Sequence, residues 1–377
     1  MGSIFIIGPA HPLRGGGIVS FNERLATAFQ ESGHSCEIWS FSLQYPSFLF
    51  PGKTQFSTSP APPNLTIHSV INSINPFNWI RVGKAIRKRR PSLVVVRFWI
   101  PFMGPCLGTI LRIIKRKETK IICIADNAIP HEKRPGDRIF SSYFFNSCDA
   151  FIAMSKTVET DLKSLVSNKP VQRTVHPLYD HFGNPVSKSS AREKLGISPS
   201  EKVILFFGFI RKYKGLDLLL EAMCDSRIKE QNIKLLIAGE FYEKKEPFLA
   251  FIEENKLNQS VRLDSHFIAD SEIANYLCAA DVVVQPYRNA TQSGVTPLAF
   301  HFEKPMIVTN VGGLPEMVPN EGVGLVCAPT PNAIADAIIR FYEKGVDFFH
   351  AGIVEEKKKY DWSTMINTIM ELSQKMN

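Results

Sequence analysis

The sequence predicts an α/β protein made of two doubly wound, Rossmann-like domains facing a cleft. Three observations carry this. Short β-branched and aromatic runs alternate with longer helical patterns. The runs are continuously apolar rather than alternating, which marks parallel strands buried on both faces. The rhythm also starts twice, with a polar, turn-rich stretch at 177–200 between the two series. A chain of 377 residues suits two domains, and its core is large enough to need neither disulfides nor a structural metal.

In the first series, strands are predicted at 4–7, 36–39, 93–96, 120–124 and 150–153, with helices over 18–31, 76–90, 104–117 and 156–166. Strands at 203–207, 233–238, 261–263, 282–285 and 306–309 form the second series. An amphipathic helix spanning 361–372 closes the chain. The expected divisions are 1–180, 181–355, and a tail, 356–377, that packs back towards the first domain. No repeat of 20–50 residues is visible, which argues against a solenoid.

Charge is unevenly spread. The chain carries 44 Lys+Arg against 36 Asp+Glu, but residues 1–180 hold 22 against 11 (+11) and residues 181–377 hold 22 against 25 (−3). A basic half attracts anions such as phosphates or acidic lipid. Nucleic acid is not expected, because no helix-turn-helix, zinc or RRM pattern accompanies the cations. The seven cysteines are scattered and never in CxxC spacing, so no zinc site or disulfide framework is expected and a reducing compartment fits. The N-terminus reads as a first strand rather than a signal peptide. In the apolar stretch 93–114, Arg97, Pro101, Pro105 and Arg112 interrupt any membrane span. The expected location is the cytoplasm, peripheral at the inner face of the membrane.

Four segments carry chemistry. Gly15-Gly16-Gly17 stands between the first strand and a helix, where backbone amides and the helix dipole favour an anion. Phe207-Gly208-Phe209-Ile210-Arg211-Lys212-Tyr213-Lys214-Gly215 places cations at the carboxyl end of a parallel strand, where open sheets bind ligands. There Arg211 suits a bidentate grip on a diphosphate and Lys214 adds a point charge. In 285–298, small polar residues lead into a helix whose first amides, at Ser293, Gly294 and Val295, are candidates for phosphate contacts, although an ordinary helix cap explains them equally. Residues 304–316 give a strand, a glycine turn and Glu316.

In this order and spacing, the last three segments resemble the nucleotide-sugar half of GT-B glycosyltransferases, in particular the retaining family 4. Gly15–17 resembles that family's N-terminal glycine loop, and Ile129-Pro130-His131-Glu132 its histidine-bearing loop. The resemblance implies a sugar transferase with a nucleotide diphosphate sugar as donor and a glycan or lipid-linked acceptor, acting in bacterial surface polysaccharide synthesis with retention. It implies a catalytic role for His131 and donor-binding roles for Gly16, Gly17, Arg211, Lys214, Glu240, Thr291, Ser293, Gly294 and Val295. Thr291 and Leu298 stand where the family usually carries two glutamates, and Phe209 replaces an arginine. No DxD dipeptide occurs, so neither metal nor other cofactor is expected. Two other readings stand beside this one: a catalytically silent nucleotide-sugar-binding subunit, and a nucleotide-sugar epimerase on a similar fold. A basic and aromatic surface at Trp79, Lys84 and Arg87-Lys88-Arg89-Arg90, with Phe48-Leu49-Phe50, is the candidate contact with an anionic membrane.

Overall fold

The computed structural model describes residues 2–14, 16–46, 54–57, 60–129, 135–166, 168–180, 182–290, 293–319 and 321–376. Two compact units emerge: Met1–Pro177 with Asp361–Asn377, and Leu178–Tyr360. The first is built on a seven-stranded sheet of β1 (Ile4–Ile7), β2 (Cys36–Leu43), β3 (Thr66–Asn72), β4 (Leu93–Phe98), β5 (Lys120–Ala125), β6 (Ala150–Ala153) and β7 (Val171–Arg173). Their order is β3-β2-β1-β4-β5-β6-β7, and every pair is parallel. Between them run α1 (Gly17–Glu31), α2 (Pro76–Lys88), α3 (Gly104–Ile114), α4 (Asp137–Phe145) and α5 (Lys156–Leu165).

The second unit repeats the plan with β8 (Lys202–Phe207), β9 (Ile233–Ala238), β10 (Val261–Asp264), β11 (Val282–Gln285), β12 (Met306–Thr309) and β13 (Gly324–Cys327), ordered β10-β9-β8-β11-β12-β13 and again all parallel. Both sheets are therefore doubly wound, and in each the winding reverses beside the first strand: at β1/β4 and at β8/β11. Ligands bind outside the carboxyl ends of strands at such switch points.

Each predicted strand is present within a few residues. The continuous apolar runs are buried along their whole length in β1, β4, β6, β11 and β12. Three strands escape the sequence reading, and each lies at a sheet edge. In β3, Thr66-Ile67-His68-Ser69-Val70 is largely half-buried or exposed, so selection for apolar residues is relaxed. Val171–Arg173 and Gly324–Cys327 are short, with only partial burial.

The turn-rich stretch between the two series also differs from its sequence reading, because it holds a helix, Lys188–Leu195, capped by Ser187. Arg192 on that helix is buried and bonds Ala279 O at 3.0 Å, Pro199 O at 2.6 Å and Asp281 Oδ1 at 3.3 Å. The last helix, Trp362–Gln374, opens with Asp361 accepting from Ser363 N at 2.7 Å. Its Trp362 ring packs on Phe21 of α1 at 5.1 Å. No helix among the described residues is long and apolar enough to cross a membrane.

Candidate functional site

The second unit's switch point is assembled by three glycines whose missing side chains let loops touch. Gly208, directly after β8, has φ +97°, and a Cβ there would lie 3.1 Å from Lys214 Nζ and 3.6 Å from Val295 Cγ2. At Gly215, φ +67°, a Cβ would reach 2.1 Å from Pro286 O, so the loops after β8 and β11 meet backbone to side-chain position. A Cβ on Gly239 would sit 2.2 Å from Gly208 O, joining the loops after β8 and β9. Such approaches are open only to glycine.

This closure buries Lys214 in the short helical turn Lys212–Lys214, leaving it 8% exposed. Its ammonium faces the Tyr287 ring at 5.6 Å and forms no ion pair among the described residues. Burial, and secondarily the Arg211 charge, pushes its pKa down to about 7. A buried cation without a counter-ion is costly, and an arriving anion relieves that cost. Arg211 is exposed, its guanidinium 4.9 Å from the Tyr242 ring. Glu240 is half-buried, and its carbonyl accepts from Ile210 N at 2.9 Å, which fastens the arginine-bearing loop to the end of β9.

Across from Lys214, Ser293 and Gly294 lead into the helix Val295–His301. The Val295 amide donates to Ser293 Oγ at 3.2 Å, so of the three amides considered from sequence this one is engaged by the Ser293 hydroxyl. Tyr287 Oη lies 3.3 Å from Ser293 Oγ, and Gln285 Nε2 donates to Thr296 Oγ1 at 3.1 Å beneath. Thr309 Oγ1 donates to Tyr287 O at 2.6 Å, which ties the end of β12 to the same floor. Arg211, Lys214, Glu240, Ser293, Gly294 and Val295 thus gather at the carboxyl ends of one sheet. Thr291 lies outside the described residues.

In the first unit, Gly16 caps α1 and Gly17 opens it, with no acid in the first turn. Behind them Arg97, at the end of β4, is paired with Asp126 after β5: Nε donates to Oδ2 at 2.7 Å, and a second bond joins Nη2 to Oδ1. Both residues are buried, and the guanidinium lies 3.8 Å over the Phe21 ring. His176 beside them is held neutral, its pKa pushed down to about 3 by burial and by the Arg97 charge. Asp126 is thus a loop-ordering carboxylate. His131 and Glu132 lie outside the described residues.

Two family models divide the chain between them: Glycosyltransferase Family 4 matches residues 15–178, and Glycosyl transferases group 1 matches residues 187–359. The chain is a family 4-like GT-B glycosyltransferase. Among curated relatives, the D-inositol 3-phosphate glycosyltransferase of Segniliparus rotundus is 30% identical over 145 residues, covering 38% of this chain and 32% of that one. The lipopolysaccharide core biosynthesis mannosyltransferase LpsB of Rhizobium meliloti is 28% identical over 216 residues, covering 54% and 58%. The glycosyltransferase spans less than two thirds of the length of either. In fold it is similar to Anabaena Alr3699/HepE in complex with UDP-glucose, with TM-score 0.73, 15% identity and 98% of each chain covered.

For this glycosyltransferase the segments singled out in the sequence converge at the β8/β11 switch point, but their inner packing is not legible there. It offers Lys214 as one of three neighbouring cations, with nothing to tell the buried one from the exposed pair. Tyr287, which floors the site and is 3% exposed, carries no mark in the sequence although it lies within 285–298. An arginine within the apolar run 93–98 is the available signal for the Arg97–Asp126 pair. Leu298 is buried in its helix, 4% exposed, and offers no polar atom.

Proposed function

We propose that the enzyme moves a sugar from a nucleotide diphosphate donor to a glycan or lipid-linked acceptor in bacterial surface polysaccharide synthesis, with retention and without a metal. The observation that carries this reading is Lys214, a buried cation with no ion pair among the described residues, set at the switch point beside Gly208. A diphosphate brought there meets Lys214 and Arg211, which stabilise the charge that grows on the leaving group. Such a clamp leaves no electrostatic task for a divalent cation. UDP-glucose bound by the structurally similar Anabaena protein supports a nucleotide sugar as donor, and the lipopolysaccharide role of the Rhizobium relative supports the acceptor class.

In the retaining step, the bond from the anomeric carbon to the donor phosphate oxygen breaks as a bond to the acceptor oxygen forms on the same face. The acceptor proton passes to the departing phosphate oxygen, so no protein nucleophile is required. Docking on an anionic membrane serves an acceptor of this kind. Transfer assayed across a panel of nucleotide sugars, with and without EDTA, tests the reading. We expect one donor to be consumed at an unchanged rate in chelator, with the anomeric configuration kept in the product. Activity abolished by EDTA and restored by Mg²⁺ or Mn²⁺ overturns the metal-free clamp.

Leu298 favours one second reading, a donor-binding subunit that does not transfer, because an alkyl side chain supplies no hydrogen bond to ribose. Nucleotide binding without donor turnover would select it.

A further inference from the structure

In an open parallel sheet, helices that follow a strand begin at the carboxyl edge and end at the amino edge. In the first unit, α2 follows β3 and α4 follows β5, so both start at the edge where the β1/β4 crevice opens. Trp79 Nε1 donates to Asn72 O at 2.7 Å and pins the start of α2 to the end of β3. The start of α3 touches that of α4, where a Cβ on Gly104 would lie 2.3 Å from Phe140 O.

At these starts stand large apolar side chains turned to water. Phe77 is 85% exposed, Ile74 50% and Ile80 41% beside α2; Ile139 is 72% exposed on α4. Helix α3 lies between, and at 8–10 Å per packed helix the two apolar tips are roughly 20 Å apart. Arg81 and Arg138 are exposed next to these tips and enter no ion pair among the described residues. The cations at the other end of α2 differ. Arg87 donates to Ile113 O at 2.7 Å and closes the end of α3, while Arg89 is paired with Glu37 at the amino end of β2.

We propose that the strand-carboxyl edge of the first unit docks on an anionic lipid surface, inserting Phe77 and Ile139 and using Arg81 and Arg138 as its headgroup contacts. Apolar residues flanked by cations that have no ion pair among the described residues match an interface whose polar layer is negative and whose interior is hydrocarbon. This deepens the lipid-linked acceptor reading and rests on it, because the edge that meets lipid is the edge that opens the crevice. It moves the attachment from the Arg87–Arg90 run, half of which serves intramolecular bonds, to the opposite end of the same helix.

The test is co-sedimentation of the full chain with phosphatidylglycerol/phosphatidylcholine vesicles and with pure phosphatidylcholine vesicles. Wild type is expected on the anionic vesicles. The paired change Phe77→Ser with Ile139→Ser should weaken binding at least tenfold, and Arg81→Ser with Arg138→Ser should remove the preference for anionic lipid. A control at the far edge, Lys88→Ser with Arg90→Ser, should bind as wild type does. All of these side chains are exposed, so thermal melts should be unchanged. Undiminished binding by the apolar pair overturns the proposal, as does loss in the far-edge control. So does a dimer, broken by the apolar pair, in place of vesicle binding. Nucleoside diphosphate binding by the same preparations reports on the transferase reading alone: nucleotide binding without vesicle binding overturns only the docking edge.

Discussion

At the scale of single residues, the site turns on Lys214. With a pKa of about 7, its ammonium has lost much of the stabilisation water would give it, each tenfold loss of proton affinity amounting to about 1.4 kcal/mol. Lys214→Met should therefore do two opposite things. Removing a buried charge that has no ion pair among the described residues should stabilise the unliganded protein by roughly 1–3 kcal/mol, while removing the diphosphate contact should lower kcat/KM by ~10²-fold or more. Thermal melts and donor kinetics on one preparation read both. The pH dependence follows with the same sign. Because the folded pKa is depressed, the unfolded chain binds more protons between pH 7 and pH 10.5, so this lysine's destabilising effect fades as pH rises across that window. A bound anion favours the ammonium, so binding above pH 7 should take up protons and weaken as pH rises.

At the scale of elements, Asp281 organises the region that reads as a linker. Its carboxylate accepts from Val203 N at 2.7 Å, from Tyr342 Oη at 3.0 Å and from the buried Arg192, and it is also paired with Lys188. This cluster roots the helix Lys188–Leu195 against the amino end of β8. Asp281→Ala should cost ~3–5 kcal/mol, because it strands Arg192 as an uncompensated buried charge. Denaturant unfolding measures it, and a loss below about 1 kcal/mol would show that Arg192 is held by carbonyls alone. The element shows why sequence reading has limits. Val282–Gln285 announces itself by four consecutive buried residues, whereas the helix at 188–195, Lys-Ser-Ser-Ala-Arg-Glu-Lys-Leu, buries little besides Ala191 and Arg192. It is fastened by long-range contacts of Lys188 and Arg192 to Asp281 and of Arg192 to Ala279 O, which periodicity cannot reveal. The edge strand Thr66–Asn72 escapes for a related reason, since a strand with one neighbour need not be apolar throughout. In the candidate site, Gly208 and Gly215 are legible as turns. The approach of Gly215 to Pro286 O, which helps to bury the lysine, joins chain segments some 70 residues apart.

At the scale of the whole molecule, charge and site lie in different halves. The surplus of +11 falls in residues 1–180, while the lysine read here as the donor anchor belongs to a half of net charge −3. With Lys214 as that anchor, donor capture would rest on a local, buried cation rather than on a long-range field, and buried charges are weakly screened. Raising salt from 0.1 M to 1 M, which shortens the Debye length from ~10 Å to ~3 Å, should strip the chain from anionic vesicles yet change nucleotide affinity only a few-fold. The most direct test of the buried-lysine clamp is titration calorimetry of nucleoside diphosphates at pH 8.5, in two buffers of different ionisation enthalpy, on wild type and Lys214→Met. The clamp predicts that one nucleotide binds wild type with net uptake of close to one proton, and that affinity falls at least tenfold and the uptake vanishes in the variant. Equal affinity and equal proton uptake in the two proteins would contradict it.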